Sequence, residues 1–554
     1  MDVRRITESL IQTGIKRKLE EWGVPGEISV SVEVPKQEDH GDFSTNAALQ
    51  LAGHMKRKPR DVAMELLDSI RRADEGGWFR DLTVAGPGFI NVILSEGAWQ
   101  VALASALEQG ERFGAVDRQE GERVLLEFVS ANPTGPLHVG HGRGAVVGDA
   151  LARILAFTGC QVTTEYYVND VGNQIDSLGK SLYARYLQVC GIRAELPEDG
   201  YRGEYLVDLA REFREEVGDK YLKVGEEAAV PVFRKVACDR ILDGIRKDLE
   251  TFHVHIDRWF REESLHENGS VAAVVDELRE RGLLYESEGA VYFKSESHGD
   301  EKDRVLVRAD GRTTYFASDL AYHREKLRQG FTKLIDIWGA DHHGYAPRVS
   351  AALKGLGESE GRLEILLVQF VSLIREGKAV QMSTRSGRFA TLHEVIDEVG
   401  VDAARFFYLL RSYRSHLDFD LTLASKQSSE NPVYYIQYVH ARICSIFREA
   451  AERGIVLSDA PPLSVLSLPD ETNLMKMVAR FPDVVSESGR TREPHRIPFY
   501  LLDLAREFHA FYHNHRFLGE TPERTQGRLA LATAVRNVVS TGLSLLGVSA
   551  PERM

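Results

Sequence analysis

Cysteine is scarce in this chain: four in 554 residues, Cys160, Cys190, Cys238 and Cys444. No two of them form a C-x-x-C pair, so neither a zinc site nor a disulfide framework is expected, and buried free thiols are. No segment approaches the roughly 18 apolar residues that a membrane-spanning helix needs. The opening stretch from Met1 to Glu20 has no apolar run long enough for a secretory signal. A cytoplasmic chain with no membrane partner is therefore expected. Positive charge is also in deficit, with 69 Lys and Arg against 83 Asp and Glu and a formal net charge of −14. Phosphate binding needs positive potential. In a long chain, however, a local basic face coexists with an acidic remainder, so the deficit speaks first to solubility. Internal repeats and low-complexity tracts are absent as well.

Hydrophobic residues make up 43% and charged residues 27%, the profile of a globular protein. The length exceeds what one core supports and suggests about three or four domains. Residues 1–115 read as an α/β module. Within it Ser44 or Thr45 is placed to cap a following helix, and Leu82 to Leu94 reads as strand, tight turn, strand. The charged run Glu108 to Arg123 serves as a linker. Residues 116–427 alternate strand-like and helix-like segments. Val124 to Val129, Val162 to Val168, Thr332 to Trp338 and Leu363 to Ile374 read as strands, and Val146 to Leu155 as a helix. This alternation predicts a doubly wound, Rossmann-like parallel sheet. A charged, helical insertion at about 178–300 interrupts it. Residues 428–554 are helical by period, with a loop at Pro461-Pro462 and Pro494 just ahead of another helix.

The most informative stretch runs Glu127-Phe128-Val129-Ser130-Ala131-Asn132-Pro133-Thr134-Gly135-Pro136-Leu137-His138-Val139-Gly140-His141-Gly142-Arg143-Gly144. It follows a predicted strand and opens a predicted helix, a junction whose free amides favour phosphates. His138 and His141 are three apart and share a face once helical. Gly140 between them lets a flat base approach the backbone. Two imidazoles and helix amides suit nucleotidyl transfer, in which negative charge grows on an attacked phosphate. Metal ligation and ordinary turn histidines are the competing readings of the bare four-residue pattern.

The stretch resembles the HIGH motif of class I aminoacyl-tRNA synthetases. Extended to Tyr166-Tyr167-Val168-Asn169-Asp170-Val171-Gly172-Asn173-Gln174, it resembles the arginyl enzymes among them. Gln381-Met382-Ser383-Thr384-Arg385 is similar to that class's KMSKS loop, with Gln381 and Thr384 where the full motif has lysines. Arg385, Lys378 and Arg388 are candidates for the missing cation. Tyr315-Phe316-Ala317-Ser318-Asp319-Leu320-Ala321-Tyr322-His323 resembles the family's arginine pocket, and a carboxylate there suits the planar fork of a guanidinium. Trp338-Gly339-Ala340-Asp341-His342-His343-Gly344-Tyr345 follows a predicted strand and resembles a wall of the adenylate site.

The resemblance implies arginine–tRNA ligation. ATP and L-arginine form arginyl-adenylate with Mg²⁺ accompanying ATP, and tRNA-Arg then takes the arginyl group on its terminal ribose. It also implies that tRNA binds before the adenylate forms, and that the protein is a monomer. It implies catalytic roles for His138, His141, Ser383 and Arg385. ATP would meet Pro136, His138, Gly140, His141, Asp341, His342, Met382 and Ser383. Arginine would meet Glu127, Ser130, Asn132, His138, Tyr315 and Asp319. Val401-Asp402-Ala403-Ala404-Arg405 resembles the DALR signature of an anticodon-binding helical domain, with Ala404 in place of leucine. Tyr434, Tyr438 and Arg442 then offer stacking faces and a cation to unpaired bases. Arg506 and His509 lie on a polar stripe beside Leu501, Ala505, Phe508 and Tyr512, which are expected to be more buried. Asn46 lies in the module that resembles the contact with the outer corner of tRNA. The alternatives are a class I synthetase for another amino acid and a degenerate relative that only binds RNA.

Overall fold

The computed structural model describes the whole chain except residues 1–2, 26–28, 36, 38–39, 117–121 and 381–389. Its centre is a five-stranded sheet in the order Leu363–Val368, Lys333–Gly339, Arg123–Glu127, Gln161–Val168, Arg258–Arg261. Every neighbouring pair is parallel. Val124, Leu125 and Leu126 are fully buried because both faces of the sheet are covered. Leu125 joins a core with Leu320 and Ala321 of the helix Tyr315–Arg328. Val124 and Leu126 point the other way, into a core with Ala145 and Val146 of the helix Val139–Phe157. The strand order reverses at Arg123–Glu127, and a crevice opens beyond the carboxyl ends of the strands at such a point.

Two expectations from the sequence are corrected here. Leu363 to Ile374 is not one strand: Leu363–Val368 ends in the parallel sheet, and Val371–Arg375 begins another, paired with Leu417–Asp420 and Lys378–Ala379. The break has a cause. The Gln369 carbonyl accepts from the buried Arg143 guanidinium at 2.9 Å and the Gln369 amide donates to Tyr413, so neither is left for the sheet. The stretch 178–300 is not wholly helical either. The helices Asn173–Val189, Glu204–Val217 and Glu226–Thr251 pack together, but Arg258–Arg261 then returns to the central sheet as its edge strand. The strands Leu284–Ser287, Ala290–Phe293 and Arg304–Val307 form a small antiparallel sheet beyond it.

At the N-terminal side the helices Val3–Trp22, Ala47–Met55 and Pro59–Ala73 pack around an antiparallel sheet of Phe43–Thr45, Phe89–Leu94 and Phe79–Ala85. The helix Ala47–Met55 starts after Asn46, which makes no side-chain cap, while the Thr45 hydroxyl at the end of the strand Phe43–Thr45 accepts the Ala47 N–H at 3.3 Å, so of the two expected residues Thr45 is the one that caps. The C-terminal side is a bundle of Pro432–Glu452, Pro469–Ala479, Phe481–Thr491, Arg496–Asn514 and Pro522–Leu545. Arg405 joins this bundle to the helix Val139–Phe157. It is fully buried, donates to the carbonyls of Leu546 (2.9 Å) and Phe252 (2.7 Å), and pairs with Asp149. Gly547 sits beside it at φ +67°, where a Cβ would overlap the guanidinium.

Candidate active site

The helix Val139–Phe157 is capped by its own histidines. His138 is the N-cap, and its Nδ1 accepts the backbone N–H of Gly140 at 3.1 Å and of His141 at 3.4 Å. His141 Nδ1 in turn accepts the N–H of His138 at 3.2 Å. The rings stack with centroids 3.6 Å apart, and a Cβ on Gly140 would lie 3.0 Å from the His138 ring. A side chain at this position would thus crowd the imidazole cap as well as the expected approach of a base. Because both Nδ1 atoms accept, a neutral ring carries its hydrogen on Nε2. Both rings are neutral near pH 7: burial lowers the His138 pKa, and burial with the His138 neighbour lowers His141 to about 3. Two imidazole donors therefore stand at a helix N-terminus.

Both histidines line a cleft of about 710 Å³ at the carboxyl ends of the central strands. Glu127, Ser130, Asn132, Gly140, Tyr315, Asp319, Asp341 and His342 line the same cleft. The chain leaves the strand Arg123–Glu127 through Val129 at φ +68° and Ser130 at φ +39°. Such a value in β-branched Val129 is strained, at about 1–3 kcal/mol. The turn aims Ser130 back, so that its hydroxyl donates to Glu127 Oε1 at 2.9 Å and accepts the Tyr167 N–H at 3.1 Å. Asn132 donates to Gln174 at 2.8 Å. Across the cleft, the Tyr345 hydroxyl donates to Asp319 Oδ2. Burial pushes the Asp319 carboxyl up to about 6, against the pull of Tyr345 and His323 and with the push of Glu262 and Glu127.

Glu262 is missing from the sequence reading. It is buried, lines the cleft, and is raised by burial against the hydroxyls of Tyr167 and Ser318. The Asn169 amide, turned to suit its neighbours, donates to it at 3.0 Å. It follows directly on the edge strand Arg258–Arg261, so recognising that strand would have placed it. Tyr167, Tyr322, Trp338 and Tyr345 add aromatic faces to these acids.

Other expected residues lie elsewhere. Pro136 is exposed and lines a separate depression of about 350 Å³ with Tyr205, Arg240 and His393. Met382, Ser383 and Arg385, with Arg388, fall outside the described residues. On the bundle, Arg442 stacks over Tyr438 at 4.5 Å and over Tyr512 at 4.2 Å, and Tyr434 stacks on Tyr438. Tyr512 is thus exposed in this cluster rather than buried. His509 packs on Tyr435 and Tyr438, while Arg506 pairs with Asp503 at 2.9 Å. Asn46 is exposed and accepts from Gln50 at 2.8 Å. Among the described residues, no group of three or more His, Cys, Asp or Glu side chains is arranged to hold a metal, and no helix is long and apolar enough to cross a membrane.

Comparison with known proteins agrees with this geometry. Residues 102–407 match the family described as tRNA synthetases class I (R), catalytic domain. Residues 9–94 match the arginyl tRNA synthetase N terminal domain, and residues 436–554 the DALR anticodon binding domain. The chain is 52% identical to an arginine–tRNA ligase of Desulfosudis oleivorans over 95% of each chain. It is 43% identical to that of Bacillus subtilis over the full length of both. The Thermus thermophilus arginyl-tRNA synthetase structure superposes over 100% of both chains with a TM-score of 0.76 at 25% identity. A parallel sheet whose crevice pairs an imidazole-capped helix with an acidic, aromatic wall, matched along its length by these relatives, makes the chain a member of the class I arginyl-tRNA synthetases.

Proposed function

We propose that ATP lies across the His138–His141 turn while arginine enters the acidic side of the same cleft, where Asp319 and Glu262 receive the guanidinium. Tyr315, Ser130 and Asn132 complete that side, and Asp341 and His342 flank the nucleotide. The arginine carboxylate attacks the α-phosphate of ATP. The two Nε2–H donors and the helix N-terminus stabilise the charge that builds there, and pyrophosphate leaves. The terminal ribose hydroxyl of tRNA-Arg then attacks the arginyl carbonyl and AMP leaves. The observation that carries this reading is the reciprocal capping by His138 and His141, which fixes both imidazoles as neutral donors opposite the carboxylates.

Mg²⁺ arrives as the ATP complex. That fits a cleft offering Asp341 but no cluster of acidic ligands among the described residues, since Mg²⁺ is held mainly by phosphate oxygens and water. Ser383 and Arg385 would meet the phosphates from the segment following Ala379. Residues 428–554 present the Tyr434, Tyr438 and Arg442 stack to anticodon bases, with His509 behind it and Arg506 nearby. Residues 1–115, through Asn46, reach the outer corner of the tRNA. The protein acts as a cytoplasmic monomer.

The test is ATP–pyrophosphate exchange with each amino acid, with and without total tRNA. Exchange with arginine alone, dependent on tRNA, is the expected result. Exchange with a different amino acid defeats the pocket assignment, and silence throughout favours a protein that only binds RNA.

A further inference from the structure

Three adjacent strands of the central sheet set carboxylates side by side. Asp336 pairs in register with Glu127, and Glu127 with Glu165. Register partners point to the same face, here the face covered by the helix Tyr315–Arg328. All three acids are buried, Glu165 and Asp336 completely. Such a row is strongly repulsive without a counter-charge. The helix supplies one. Lys326 Nζ lies 2.6 Å from Glu127, 3.1 Å from Asp336 and 4.0 Å from Glu165. The Tyr322 hydroxyl donates to Glu165 at 2.6 Å, His323 meets Asp336 at 2.7 Å, and Arg258 reaches Glu165 from the edge strand at 3.3 Å.

The same helix carries Tyr315 and Asp319 into the cleft, Asp319 lying about two turns before Lys326. On the facing wall, Ser130 is tied to the other oxygen of Glu127. One ammonium therefore joins the two walls of the arginine side. It is itself buried beneath the cleft, while Glu127, Tyr322 and His323 form the floor. The His138–His141 turn belongs to the helix on the opposite face of the sheet.

We infer that Lys326 is a positioning residue for arginine: it sets the spacing of the two walls and holds Glu127 as an internal anion, leaving Asp319 and Glu262 to take the guanidinium. The inference rests on the reading of the acidic side as the arginine pocket. It predicts a split between the substrates, because ATP is held from the other face of the sheet.

The experiment is arginine-dependent ATP–pyrophosphate exchange in the presence of tRNA. Lys326→Met, close in shape and neutral, is expected to raise the KM for arginine about 10-fold or more, with the KM for ATP within about 2-fold and kcat at saturating arginine within about 3-fold. Equal rises in both KM values, or an unchanged arginine KM, overturn the inference. If Lys326→Met does not accumulate in soluble form, Lys326→Arg keeps the charge and changes its reach. The same split, at about 3-fold or more, is then expected, and unchanged or parallel KM values overturn the inference. Asp319→Asn is measured alongside, with a rise of about 30-fold in arginine KM expected. An unchanged KM in that variant defeats the pocket reading itself. A normal Asp319→Asn response beside an unresponsive Lys326 variant defeats the inference alone.

Discussion

Burial shifts the titration of both His138 and Asp319. His138 is a neutral donor because burial disfavours its charge and its Nδ1 is committed to backbone amides. His138→Ala should therefore slow adenylate formation by roughly 10²-fold, the usual effect of removing one oriented donor. Single-turnover rates, with circular dichroism to verify the fold, check this. Asp319 is pushed up to about 6 by burial, so it is ionised above that pH and protonated below it. Guanidinium binding needs the ionised form, so arginine KM should rise as pH falls through about 6 while ATP KM stays flat. The linkage has a second consequence. The folded protein holds this proton more tightly than the unfolded chain does, so ionising Asp319 costs stability as pH rises through the window from its ordinary value to about 6. Arginine offsets that cost, and should raise Tm more at pH 7.5 than at pH 5. At this scale legibility was uneven. The His138–His141 turn is contiguous, and its chemistry could be read directly. Lys326 sits in His323-Arg324-Glu325-Lys326-Leu327-Arg328, which reads as a solvated helix face. Only the register of three distant strands reveals why it is buried.

Among the elements, the helix Val139–Phe157 has the most to hold. Its first turn carries the imidazoles, and Arg143 just behind them donates to the carbonyls of Gln369, Ser412 and Ser415 at 2.7–2.9 Å. Asp149, further along, is the carboxylate partner of the fully buried Arg405. Asp149→Asn leaves that cation without its counter-charge, and breaking one side of a buried pair costs about 3–5 kcal/mol. A fall of that size in urea-unfolding stability is expected, with no selective change in arginine KM. Elements with a clear period were legible, including this helix and the inner parallel strands. Arg258–Arg261 was not, because a four-residue edge strand with arginine at both ends has no apolar run to announce it. The break at Gln369 was hidden for a different reason: it depends on a guanidinium more than two hundred positions away.

For the whole molecule, the joint at Arg405 ties the catalytic region to the end of the bundle. Asp402 accepts from Ser549 N at 3.0 Å and from Gln437 at 2.8 Å, so two residues of the segment that resembles DALR hold the last turns of the chain. Gly547→Ala places a methyl in the guanidinium at a positive φ. It should lower stability by more than the roughly 1 kcal/mol of a strained backbone alone, and hydrogen exchange should quicken around Leu546 and Phe252 together. The sequence could show that a helical region follows an α/β one. It could not show the joint, because that contact is made by backbone carbonyls, which every residue has.

Leu546 lies 141 positions after Arg405, yet its carbonyl completes the seat of that cation. During synthesis Arg405 is made long before this partner exists. Until Leu546 has been made, the guanidinium lacks this acceptor and its seat beside Asp149 is incomplete. A nascent fragment that stops short of Leu546 therefore cannot complete the seat of Arg405, so the full burial of this cation waits on the turn that follows the helix Pro522–Leu545.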